Sequence, residues 1–174
     1  MSIPVLFTRK NSPYLALGCD CYDAERDALT WPGGQPAIYH PPCRAWGQYA
    51  HLAKPRPGER ELALWAMESV RKWGGVVEHP LNSKLWQATD CLSWGVRDPF
   101  GGILIPLYQS SFGHRAPKAT CLYMVVDQVP KIPPPGQTVT TVERMCRAER
   151  EATPGPMAKW LVDLVAHHGK PIKA

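Results

Sequence analysis

Cys43 is the residue of this chain with the clearest chemistry. It follows His40, Pro41 and Pro42 at the end of the apolar run Ala37, Ile38, Tyr39. That places a thiol just past a strand end, where α/β enzymes gather reactive groups. Two prolines fix φ and remove backbone donors, so the loop is stiff and the thiol is held. Arg44 follows at once, and a neighbouring cation favours the thiolate, the nucleophilic form. The plain alternative is a small half-buried cysteine in a proline turn. Glu78 is the second such residue, because Val76, Val77, Glu78, His79, Pro80 reads as a strand delivering a carboxylate to its carboxyl end. A thiolate beside a carboxylate is odd for acyl transfer, where histidine activates sulfur. It suits attack on a pyrimidine ring, in which sulfur adds to ring carbon 6 while a carboxyl group hydrogen-bonds the ring nitrogen and exocyclic amine.

The elements that must position these groups alternate between strand and helix. Residues 3–7 and 36–39 read as buried strands, with a short proline-started helix at Ser12 to Tyr14 and a second β unit beginning at 20–23. From Glu59 a helix is well signalled by the stripe Leu62, Ala66, Val70, Trp73, by acids in its first turn, by Arg71 and Lys72 in its last, and by the stop Gly74, Gly75. A helix of crossover length between Cys43 and Glu78 makes their strands neighbours, so that both side chains face one pocket. Residues 83–102 form a tryptophan-containing connection with one helical turn near Leu85 and Trp86. Residues 103–107 and 121–126 are two further strands. Residues 130–150 contain a proline-rich linker, and a last helix spans 153–168 with the stripe Met157, Trp160, Leu161, Leu164, Val165, closed by Gly169 and Pro171. The expected fold is one α/β domain over 1–174, a Rossmann-like, mostly parallel sheet with helices on its faces.

At 174 residues the chain can bury a proper core without metal or disulfide staples. The net charge of +5 permits a polyanionic partner. Six irregularly spaced cysteines and no apolar signal segment at the amino terminus point to a reduced, cytoplasmic setting. Nothing approaches a membrane-spanning run. Cys19 and Cys21, one residue apart, have poor zinc spacing, and His40, His51, His79 and His114 come from separate loops, so no metal is expected.

Taken in order, these segments resemble the DNA (cytosine-5) methyltransferases. Pro41-Pro42-Cys43 looks like the nucleophile loop of that family, and Glu78-His79-Pro80 stands where the family has its glutamate-asparagine-valine strand end. The stretch from Gln109 through His114 to Arg115 is similar to the segment carrying a catalytic arginine. The turn at Pro154 and its helix resemble, more weakly, the last family motif. The resemblance implies a methyltransferase-type fold in a short, mobile-element or phage type member, a covalent Cys43 adduct, Glu78 holding the base, and Arg115 supporting the carboxylate or the cytosine carbonyl. It implies DNA as partner and S-adenosylmethionine as donor, with Phe7, Asp20, Asp23 and Pro154 around the cofactor. Substrate contacts then fall to Pro41, Pro42, Arg44, His79, Gln109 and His114. The chain departs from the family in two ways: residues 7–12 read Phe-Thr-Arg-Lys-Asn-Ser where members carry a glycine-rich turn, and there is no separate target-recognition domain. Readout would then fall to residues 45–57 or 84–101.

Two other functions stand beside this one. A non-catalytic binding protein would keep the scaffold and lose the donor site, and a cysteine-dependent enzyme could use another one-carbon donor or a free nucleotide. His114, Arg115 and Lys118 form either a phosphate-contacting turn or a solvated basic loop. Trp46, Trp86 and Trp94 are either base-stacking residues or ordinary packing, and packing is the better prior in a chain with seven tryptophans. Arg147, Glu149 and Arg150 read as a solvated helix face.

Overall fold

A computed structural model describes residues 2–47 and 50–169. Six strands form one sheet: β1 (Pro4–Leu6), β2 (Asp20–Tyr22), β3 (Ala37–Tyr39), β4 (Gly75–Pro80), β5 (Ile103–Tyr108) and β6 (Ala119–Val125), in the order β2-β1-β3-β4-β6-β5. The first four are parallel, whereas β6 is antiparallel to both β4 and β5. The sheet is therefore mixed, parallel in three of its five pairings and antiparallel in the two made by β6. The reversal follows from the connection: β5 and β6 are joined by the short turn around residues 109–118, too brief for the crossover that parallel neighbours require.

Alternation along the central strands divides the core into two faces. Leu6, Tyr39 and Val77 pack on one side with α2 (Glu59–Trp73), after a first short helix α1 (Pro13–Ala16). Val5, Ile38 and Val76 pack on the other side, against α1 and the last helix. The central strands β1 and β3 are buried throughout, as apolar runs covered on both faces should be. Three further helices complete the chain: α3 (Leu85–Ala88), α4 (Arg147–Glu151) and α5 (Gly155–His168). In α2 the buried face runs through Ala63, Ala66, Met67 and Val70, leaving the expected Leu62 and Trp73 half-buried, because small Ala63 and Ala66 let the helix lie close on the sheet. In α5, Ala158 takes the place of Trp160 in the stripe, and Trp160 rests against Phe112 with centroids 5.3 Å apart. The stop at Pro171 lies outside the described residues, as do positions 48 and 49 of the 45–57 loop.

Part of the expected 130–150 linker is ordered as helix. Glu149 accepts the Cys146 N–H at 3.1 Å and Arg147 pairs with Glu151 at 2.7 Å, so α4 has both a cap and an i,i+4 pair. It lies against the carboxyl ends of the parallel strands. Among the described residues no helix is long and apolar enough to cross a membrane.

Candidate active site

Strand register sets His40 beside Glu78, with the Cys43 loop just beyond. Tyr39 pairs with Val77, so His40 and Glu78 are the next residues along parallel neighbours, and Cys43 follows three residues later. His40 is tied to β1 by its N–H to Leu6 O at 3.1 Å, and the chain then turns, with Trp46 N–H donating to Cys43 O at 3.0 Å. Pro41 is buried and Pro42 half-buried beneath this turn. Cys43, Glu78 and His40 all line a cleft of about 1230 Å³ that runs over the carboxyl ends of β1, β3 and β4.

Glu78 is held on both oxygens. Gln109 Nε2 donates to Oε1 at 3.2 Å, Thr120 Oγ1 makes a short contact with Oε1, and His40 Nδ1 lies 3.1 Å from Oε2. Desolvation opposes its ionisation. The His40 bond and charge, the Lys118 ammonium and the Thr120 hydroxyl outweigh it and hold the carboxyl down to about 2. Glu78 is thus an ionised acceptor at neutral pH.

Cys43 meets solvent, yet the surrounding cleft strips part of its hydration, and this with the Glu78 charge raises its thiol above the ordinary value. Lys118 acts in the opposite direction. Arg44 shares charge with the Cys43 sulfur, but its hydrogen bonds go elsewhere. Its guanidinium grips Glu59, the first residue of α2, through Nε at 2.8 Å and Nη2 at 2.9 Å, while the Arg56 N–H reaches the same carboxylate at 2.8 Å. Arg44 is a strut that pins the Cys43 loop to α2.

Arg115 is likewise elsewhere. It is exposed, bonded to Glu149 Oε1 at 3.1 Å, and outside the cleft lining, because the turn after β5 directs it toward α4. The cation that acts on both Cys43 and Glu78 is Lys118, at φ +37°, with Nζ donating to Ala152 O at 2.9 Å. Burial lowers its ammonium below the ordinary lysine value. His114 is buried outside the cleft lining, with its Nδ1 engaged by the Ala116 backbone within the turn. Gln109 reaches Glu78 and not the open cleft. His79 points to the opposite face of β4, edge-on to Trp86 at 5.9 Å; burial holds its imidazole neutral, at about 4. Its role is packing beneath the loop.

At the other end of the cleft the chain leaves β1 through Phe7, whose φ of +64° provides the left-handed bend that a glycine would give. Asp23 and Asp27 line this end, each spending Oδ1 on its own loop: Asp23 accepts from Glu25 N–H at 2.9 Å and Asp27 from Leu29 N–H at 3.0 Å. Arg9 and Lys10 are tied off, Arg9 on Ala148 O at 2.9 Å and Lys10 on Glu25. Asp20 opens β2, is bound by Arg26 and lies outside the lining. Pro154 caps α5 while Thr153 reaches the cleft.

Among the tryptophans, Trp46 is fully buried, with Nε1 on Arg60 O at 3.1 Å, and Trp86 is anchored on Pro80 O at 3.0 Å, so both are packing residues. Trp94 is exposed beside β5. Among the described residues no group of three or more His, Cys, Asp or Glu is placed to hold a metal ion. Sequence reading gave no role near Glu78 to Thr120 or to Tyr14, since neither sits in a motif. No protein-family model, curated protein or solved structure matches this chain.

Proposed function

We propose that this protein is a DNA cytosine-C5 methyltransferase-like enzyme on a Rossmann-like sheet whose last two strands are antiparallel. The observation that carries the reading is the placing of Cys43 and Glu78 in one cleft, at the ends of adjacent parallel strands. A pyrimidine between them would have its ring carbon 6 toward sulfur and its nitrogen edge toward the carboxylate. Cys43 gives its proton to water, and the S–C6 bond forms as the C5–C6 π pair shifts toward N3, which takes a proton from solvent and donates to Glu78. Ring carbon 5 is then nucleophilic. Its alkylation is followed by loss of its hydrogen as a proton to water, which restores the C5–C6 double bond and expels the thiolate, and N3 then returns its proton to solvent. Lys118 offsets the negative charge on sulfur at both ends of the sequence.

The residues at the Phe7 end fit S-adenosylmethionine. Phe7 makes the sharp turn, Leu29 and Leu62 offer apolar wall to an adenine, and Asp23 and Asp27 offer acids to a ribose and an ammonium. Bound there, the donor would supply an electrophilic methyl to ring carbon 5. Arg56, Arg147 and Arg150 rim the cleft and would meet phosphates of DNA.

DNA carrying a 5-fluorocytosine-type analogue, supplied with donor, is expected to trap a covalent complex that Cys43→Ser abolishes. Binding should weaken by about 0.7–0.9 log units per log unit of salt for each phosphate contact. The raised thiol of Cys43 favours a second reading, a non-catalytic binder on the same scaffold. Salt-sensitive binding without trapping would establish that reading instead.

A further inference from the structure

His40 sits in a chain of side chains drawn from three elements. Its Nε2 is 2.8 Å from the Tyr14 hydroxyl on α1, and its Nδ1 is 3.1 Å from Glu78 Oε2 on β4. Tyr14 is 1% exposed, and the His40 and Glu78 side chains are 12% and 15% exposed. The chain is thus nearly dry, and all three residues border the cleft.

The partners dictate the proton positions. An ionised carboxylate only accepts, so Nδ1 must carry hydrogen. Burial, reinforced by the Glu78 charge, raises the Tyr14 hydroxyl well above its ordinary value, so the phenol keeps its proton. A phenol can donate or accept. Nε2 can therefore be bare, with Tyr14 donating to it, or protonated, with Tyr14 accepting. Neither arrangement disturbs the bond to Glu78. The other titratable groups that share charge with Glu78 are Lys118 in the turn before β6, Cys43 in the loop after β3, Cys121 on β6 and His79 on β4. Among the described residues none of them bonds the imidazole.

We infer that His40 is the positioning residue of this site, holding Glu78 as an oriented, ionised acceptor, with Tyr14 as its second anchor. The assignment deepens the pyrimidine reading and, for its substrate side, rests on it. A carboxylate fixed in this way is complementary to a ring edge that presents two donors. Cytosine protonated at N3 presents the ring N–H and the amine. A uracil edge presents one N–H between two carbonyls.

The test needs no substrate. Long-range nitrogen NMR on the His40 ring of the wild-type protein should find hydrogen on Nδ1 at every pH at which Glu78 is ionised, and a bare Nδ1 would overturn the inference by itself. Carboxyl-carbon NMR should find the Glu78 midpoint moved upward in His40→Gln by about 1–2 pH units. An unmoved midpoint would also overturn it. Tyr14→Phe should alter the Nε2 signal and leave hydrogen on Nδ1, which keeps the question open to measurement should His40→Gln fold poorly. If trapping is also seen, His40→Gln should displace its pH profile. A confirmed Nδ1–H and a moved midpoint without any trapping would leave His40 as the positioning residue and remove the pyrimidine reading.

Discussion

Two glutamates flank the Cys43 loop, and they are held in opposite ways. Glu59 is gripped by a fixed charge, the forked Arg44 guanidinium, and by a backbone N–H. Glu78 is gripped by an imidazole, an amide and a hydroxyl, side chains drawn from three different elements. Both carboxyls are pushed below the ordinary value against the cost of burial. Only Glu78 belongs to the cluster that also includes Lys118 and acts on the Cys43 sulfur. A permanent ion pair fastens a loop; a hydrogen-bonded carboxylate can meet a ligand whose own proton count changes.

The comparison can be broken by exchanging the two roles. Glu78→Gln should reduce the rate of adduct formation on 5-fluorocytosine DNA by roughly 100-fold or more, the scale of a lost acid–base group, in a protein that still folds. Equal trapping by Glu78→Gln would make the two glutamates alike. Glu59→Gln should instead act on stability, lowering the unfolding free energy by about 2 kcal/mol in urea titrations. Breaking a fully buried pair costs more, but Arg44 remains about one-third exposed. Trapping by the folded fraction of Glu59→Gln should fall less than about tenfold, well short of a lost acid–base group.

Acid sharpens the contrast within β4. The folded Glu78 carboxyl lies at about 2 against an unperturbed 4.5, so its contribution to stability is complete above pH 4.5 and disappears as pH falls toward 2. The folded His79 imidazole lies at about 4 against 6.5, and the unfolded chain binds the extra proton in between, so stability is lost first as pH falls from 6.5 to 4. Thermal midpoints measured across this range should decline in two stages. His79→Leu should flatten the upper stage alone.

The smallest expected effect concerns the thiols. Iodoacetamide should label the exposed Cys146 at least as fast as Cys43, because burial and Glu78 raise the Cys43 thiol. Peptide mapping by mass spectrometry would show it. Lys118→Gln should slow Cys43 further and leave Cys146 unchanged, whereas fast labelling of Cys43 alone would restore the thiolate expected from Arg44.

What could be read from the chain was what periodicity and punctuation encode. The apolar runs ending at Tyr39 and Val77, the helix between them and its stop at Gly74 and Gly75 place two strand ends together, and the two strands are parallel neighbours. Partnerships across the sheet were not legible. Nothing in its sequence neighbourhood reveals that Arg44 turns to a glutamate fifteen residues on, or that Thr120 reaches Glu78 from an antiparallel strand. The left-handed turn at Phe7 was hidden for a different reason: an aromatic residue at positive φ goes against local preference, so no rule of composition would place it there. The direction of β6 was open as well, since an apolar run carries no arrow.

Gly75 shows how closely β3 and β4 are set where their pairing begins. A β-carbon on this residue would lie 1.9 Å from Ala37 O, with φ at +106°. The strand that leads to Cys43 and the strand that carries Glu78 therefore touch, backbone to backbone, at their beginnings. The pairing continues through Ile38 with Val76 and Tyr39 with Val77, so the spacing set at this first pair is carried along the ladder to His40 and Glu78. A single methyl at position 75 would force β3 and β4 apart at their first pair, and that displacement would reach the cleft through the backbone alone.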